Sequence, residues 1–154
     1  MRKALCVLLC LIFVISLTAC SFPNPFDDRA KKEDIISYVN ENKDFLLECI
    51  GKNECLSIKD STNIIQSIDD DDIGKGFVDF YCGGSGFGSE TNYCGFYYSA
   101  DDNLTEIWCS PGDSSVLKIT EHGYLWKESW TRQGDNTYYT EHICDHFYYY
   151  EASF

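Results

Sequence analysis

The alternation of apolar and polar positions divides the chain into three parts. Ala4–Ala19 carries no charge and, apart from Ser16 and Thr18, is apolar. From Lys32 to Gly51 the pattern turns helical: Ile36, Val39, Lys43, Leu46 and Ile50 follow a 3-4-3-4 spacing, with Ile35 and Leu47 widening the stripe. That period predicts a helix with one face to bury. Glu33 and Asp34 suit its first turn, and Gly51 is a natural stop. Beyond it the period shortens to two. Phe77–Cys82 sets Val78, Phe80 and Cys82 on one face and Phe77, Asp79 and Tyr81 on the other; Tyr93–Ser99 sets Cys94, Phe96 and Tyr98 on one face. Leu56–Lys59, Asn63–Ile68, Glu106–Cys109, Val116–Thr120, Tyr124–Trp130, Thr137–Ile143 and Phe147–Phe154 are further β-prone stretches, and the glycine-rich GGSGFGSETN reads as a loop. One helix followed by short strands at this spacing predicts an α+β domain, with the helix packed on an antiparallel meander sheet of about five to seven strands.

The first apolar run is an address and not part of the fold. Arg2 and Lys3 precede it and small residues close it, the layout of a secretory signal. Its last residues, Leu17-Thr18-Ala19-Cys20, resemble the lipobox of bacterial lipoproteins. The resemblance implies that Cys20 becomes the first mature residue and is diacylated with fatty chains such as palmitate. It places the chain at the cell membrane, held by lipid on the extracytoplasmic face. It covers residues 1–20 only, and the rest resembles no characterised family. A run this short lies at the lower edge of what spans a hydrocarbon core, so an uncleaved anchor is the competing reading. The expected organisation is a signal peptide at 1–19, the lipidated cysteine and a tether at 20–32, and a single domain at 33–154.

Charge narrows the partners. Removing the first 19 of 154 residues takes two of the 12 basic residues, so 10 Lys+Arg face 25 Asp+Glu, a net charge of about −15. Such a domain is repelled by nucleic acid and by anionic headgroups, so membrane attachment falls to the lipid. The abundant aromatics (11 Tyr, 10 Phe, 3 Trp) argue against disorder.

Six cysteines remain in the mature part: Cys49, Cys55, Cys82, Cys94, Cys109 and Cys144. An even number in an exported protein admits up to three disulfides in 15 connectivities; buried free thiols are the alternative. Cys82 and Cys94 flank the glycine loop on the apolar faces of their strands, which ranks them first as a pair.

Motifs for chemistry are thin. The glycine loop is followed by a strand and holds no basic residue, so it is not a dinucleotide fingerprint. Phe87 stands where a nucleophile elbow around Ser85 needs its second glycine. An EF-hand beginning at Asp69 fails at Ile73 and Phe80. His142, Cys144 and His146 form H-x-C-x-H, but a turn at Asp145 breaks the strand and no fourth ligand is signalled. Neither a metal nor a cofactor is expected, and no catalytic constellation stands out. The aromatic clusters remain. Tyr97, Phe147 and Tyr149, with Trp108, Trp126 and Trp130, are the candidate binding face, set against the ordinary reading of cross-strand pairs that stabilise a small sheet. The leading expectation is a lipid-anchored binding module for an envelope protein or glycan. The alternatives are an acidic inhibitor or immunity-type protein and, behind it, a cell-envelope hydrolase.

Overall fold

The computed structural model describes residues 27–87, 90–102, 117–127 and 136–154. Cys20, Trp108, Cys109, Trp130, the leader and most of the tether lie outside them.

Helix α1 (Lys32–Lys52) ends one residue beyond Gly51, where Asn53 adopts a left-handed conformation and its N–H meets the carbonyls of Cys49 and Ile50. Asparagine serves this position because its side chain tolerates positive φ. The buried positions are Ile35, Val39, Leu46 and Cys49. The stripe is therefore rotated from the expected one: Ile36 and Ile50 lie at its margin, and Lys43 pairs with Asp145 at 2.8 Å.

Leu56–Lys59 is not a strand. It belongs to a short helix, α2 (Cys55–Asp60), which buries Cys55 and Ile58 while Leu56 stays exposed. The three-residue spacing of those two buried side chains outweighs the β-prone composition. The Ser61 hydroxyl caps the end by donating to the Ile58 carbonyl at 2.7 Å.

Seven strands follow: β1 (Ser67–Asp69), β2 (Phe77–Phe87), β3 (Glu90–Ser99), β4 (Leu117–Ile119), β5 (Gly123–Lys127), β6 (Thr137–Cys144) and β7 (Phe147–Ser153). All pairings are antiparallel, in the order β1-β2-β3-β7-β6-β5-β4. The α+β architecture is as expected. Two meanders, β1–β3 and β4–β7, join where β3 pairs with β7. Of the stretch Asn63–Ile68, only Ser67 and Ile68 enter a strand. The glycine segment is mostly strand and not loop, running to Phe87 through a bulge between Tyr81 and Gly84.

Gly83 sits at the bulge with φ +120°, and a Cβ there would lie 2.5 Å from the Asp28 carbonyl oxygen. Its bare backbone admits the N-terminal segment. Asp28 N–H donates to the Gly84 carbonyl, and Ala30 N–H to that of Cys82. Residues 28–30, expected as the end of a tether, are thus laid along β2 and continue the sheet edge beyond β1.

Both helices lie against one sheet face. Their buried residues pack on Val78, Phe80, Cys82, Cys94, Phe96, Phe147 and Tyr149. At the centre, Phe80 and Phe96 stack with centroids 4.5 Å apart and planes 8° from parallel.

Candidate functional site: the aromatic face opposite the helices

Because side chains alternate along a strand, the helix-facing set fixes a second set on the other side of the sheet. That second face carries Phe77, Asp79 and Tyr81 from β2, Tyr93 and Tyr97 from β3, and Tyr148 and Tyr150 from β7. Tyr138, Thr140 and His142 of β6 and Tyr124 and Trp126 of β5 complete it. Its centre is closed. Tyr97, Tyr148 and Tyr150 are buried; Tyr97 stacks on Tyr148 at 5.1 Å, and its hydroxyl lies 2.9 Å from Thr140 Oγ1. Burial pushes the Tyr97 phenol up to about 12, so it stays a neutral hydrogen-bonding group.

Towards one end of the strands lies a continuous ribbon of rings. Tyr81 meets Tyr93 at 6.0 Å, Tyr93 meets Phe154 at 5.8 Å, Phe154 meets Tyr138 at 5.4 Å, and Tyr138 meets Trp126 at 5.0 Å. The ribbon crosses five neighbouring strands, about 19 Å at ordinary strand spacing. Its rings are half-buried or, at Phe154, exposed. They are tilted by 42–78° at the successive contacts, so faces and edges alternate along the row. At the other end of the strands a cleft of about 340 Å³ is lined by Ile119, Thr120, His122, Tyr124, His142 and Tyr148. The Tyr148 hydroxyl donates to Asp102 at 2.7 Å, and His146 Nδ1 lies 3.0 Å from the same oxygen; these contacts hold the Asp102 carboxyl below its usual range.

Among the described residues, two buried polar atoms on this face have no hydrogen-bond partner: Asp79 Oδ1 and Trp126 Nε1. Asp79 Oδ2 accepts a long hydrogen bond, 3.4 Å, from the Tyr150 hydroxyl. Burial, reinforced by the neighbouring Asp69, pushes the Asp79 carboxyl up to about 6.

The expected binding residues divide across the sheet. Phe147 and Tyr149 lie under the helices and are buried, so they offer no surface. Tyr97 is on the far face but fully buried. Of the expected residues that the structure describes, Trp126 alone stands on the half-exposed ribbon. A cluster such as Phe147-Tyr148-Tyr149-Tyr150 alternates between faces, and which half meets the helix depends on register, which periodicity does not supply. Tyr81, Tyr93, Tyr138 and Phe154 were missed because they are far apart in sequence; the signal was their shared parity with Phe77 and Tyr97 across paired strands.

Two other clefts are less apt. One of about 410 Å³ beside the start of α1 is lined by Asp27, Arg29, Lys32, Cys94, Tyr149 and Glu151, among others. Two of its cations are already paired: Arg29 with Asp27 at 2.8 Å and Lys32 with Glu141 at 2.6 Å. The other, about 610 Å³, gathers Glu54, Asp70 and Asp71 near α2. Among the described residues no group of three or more His, Cys, Asp or Glu is arranged to hold a metal ion. The H-x-C-x-H segment is split by the β6–β7 turn, where Asp145 takes φ +45° and its carbonyl oxygen lies 2.7 Å from His142 Nε2.

Comparison with protein-family models, with curated proteins and with solved structures finds no match for this chain. Among the described residues no helix is long and apolar enough to cross a membrane.

Proposed function

We propose that the protein is a lipid-anchored binding module on the extracytoplasmic face of a bacterial membrane. It takes an envelope protein or glycan on the sheet face opposite the helices. The observation that carries this reading is the Tyr81–Tyr93–Phe154–Tyr138–Trp126 ribbon. Packing accounts for the buried aromatics, Phe80, Phe96, Phe147 and Tyr149 beneath the helices and Tyr97, Tyr148 and Tyr150 in the closed centre of the second face, whereas this row leaves apolar area and polar handles at the surface of a rigid sheet. Tyrosine and tryptophan are suited to such recognition, since each brings a broad ring with a hydrogen-bonding group. The anchor follows from the lipobox resemblance at Leu17–Cys20 and from a domain too acidic to hold itself to anionic lipid.

The second reading, an acidic inhibitor or immunity-type protein, draws on the excess of carboxylates. Salt separates the two, because association driven by surface charge weakens steeply with ionic strength. The experiment is affinity capture from the protein's own cell envelope at low and high salt, beside a Tyr93→Ser/Trp126→Ser variant. A specific protein or glycan that survives high salt and is lost with the double variant supports the ribbon. A partner lost at high salt but kept by the variant favours the acidic reading, and no specific partner at all sinks both. For the anchor, Cys20→Ala is expected to abolish labelling with a fatty-acid analogue and processing at that site; normal labelling and maturation would overturn it.

A further inference from the structure

Four of the five described cysteines lie in two neighbouring pairs, and both pairs are in the core beneath the helices. The registers Tyr81↔Gly95 and Gly84↔Tyr93 leave Cys82 and Gly83 together opposite Cys94 across the bulge. Both cysteines lie on the helix-facing side, two residues from the stacked Phe80 and Phe96 and almost fully buried. The Cys82 carbonyl accepts from Ala30 N–H at 2.9 Å, so it points away from β3. Residues facing one another in an antiparallel pair bring their Cα atoms to about 4.5–5.5 Å, within the span a disulfide bridges. The Cys94 thiol already reaches across β2: its Sγ lies 3.6 Å from the Ala30 carbonyl oxygen, on the far side of Cys82. The second pair brackets the turn between the helices. Glu54 N–H donates to the Cys49 carbonyl at 2.8 Å, which folds the next residue, Cys55, back against the end of α1, and both side chains join the same buried cluster.

We infer that the fold directs oxidation into two disulfides, Cys82–Cys94 and Cys49–Cys55. Each bridge forms one S–S bond and breaks two S–H bonds. Two electrons and two protons pass to a disulfide oxidant, R–S–S–R, which leaves as two thiols. All four are free thiols in the structure. Burial pushes Cys94 up to about 11, and burial together with the charges of Asp70 and Cys49 pushes Cys55 to about 11. Little thiolate therefore exists once the core has closed, and the bridges form while the chain folds. Whether they form in the cell rests on the export reading above. The first bridge lies directly beneath the Tyr81–Tyr93 ring contact, each ring being the chain neighbour of a bridged cysteine, so it would pin one end of the aromatic ribbon.

The test is to refold the purified full chain with reduced and oxidised glutathione and alkylate it in denaturant without reductant. Cleavage after Lys52 and after Glu90 then separates the members of each pair for mass spectrometry. The expected map shows 82 linked to 94 and 49 linked to 55. Cys82→Ala should free Cys94 for alkylation and leave the 49–55 link intact. Full alkylation of all four, or linkage across the pairs, overturns the inference. The same map on chain taken from its own cells separates the two readings: bridges formed by refolding but reduced in the cell leave the pairing standing and mean that no disulfide oxidant reaches the chain there.

Discussion

The Lys32 ammonium, in the first turn of α1, lies 2.6 Å from the Glu141 carboxylate of β6, 109 residues later in the chain. The same ammonium stands 5.0 Å over the Tyr139 ring and 5.2 Å over Tyr149, and the Tyr139 hydroxyl donates to Glu141. One side chain thus ties the helix to two strands of the sheet. Lys32→Met leaves a carboxylate that is only one-tenth exposed with the Tyr139 hydroxyl alone. A loss of about 1–3 kcal/mol is expected by urea unfolding. Because Lys32 itself is about a third exposed, solvent screens part of the attraction. Glu141→Gln, which leaves no buried charge, should cost less than Lys32→Met; the reverse order would falsify the assignment.

Gly83→Ala should lift the N-terminal segment off β2. The new methyl group would meet the Asp28 carbonyl and the Arg29 Cα at 2.5 and 2.7 Å, both backbone atoms, at a φ that disfavours a side chain. Amide exchange is the decisive readout. Protection at Asp28 and Ala30 should fall well before protection in β3 and β7 changes.

Tyr97→Phe removes the hydroxyl that lies beside Thr140 and leaves the stacked ring in place. A cost of about 1 kcal/mol is expected, with no loss of partner capture, since Tyr97 is buried. If capture fails in a variant that is still folded, the partner reaches the centre of the face and not the ribbon.

Period and parity made much of this architecture legible in advance. The presence of the helix, though not the exact face it buries, the alternation in β2 and β3 and the turn at Asp145 all depend on neighbours in sequence. What periodicity missed depends on residues far apart. The choice of face for Phe147 and Tyr149 follows from how β7 pairs with β3, and the strand character of Gly83–Phe87 from the approach of Asp28 to Gly83. Leu56–Lys59 reads as β-prone until the three-residue spacing of Cys55 and Ile58 is set against the end of α1.

Asp79 gives the sheet a pH dependence whose direction can be derived. In the folded protein its carboxyl is pushed up to about 6 from an ordinary 3.8, chiefly by burial. Between those values the folded state keeps a proton that the unfolded chain has released. The group's stabilising contribution is therefore complete below about pH 4 and is lost as pH rises through 6, where an incompletely partnered carboxylate must be kept inside the face. Asp79→Asn mimics the protonated form at every pH. The variant and the parent should have similar stability near pH 4. By pH 7.5 the variant should be more stable by on the order of 2–3 kcal/mol. Other ionisable groups contribute equally to both proteins, so the difference between two urea-unfolding series isolates Asp79. A difference that stays flat from pH 4 to 7.5 would mean that a cation or a second donor satisfies Asp79 Oδ1 in solution, and that the second face is less dry than its geometry implies.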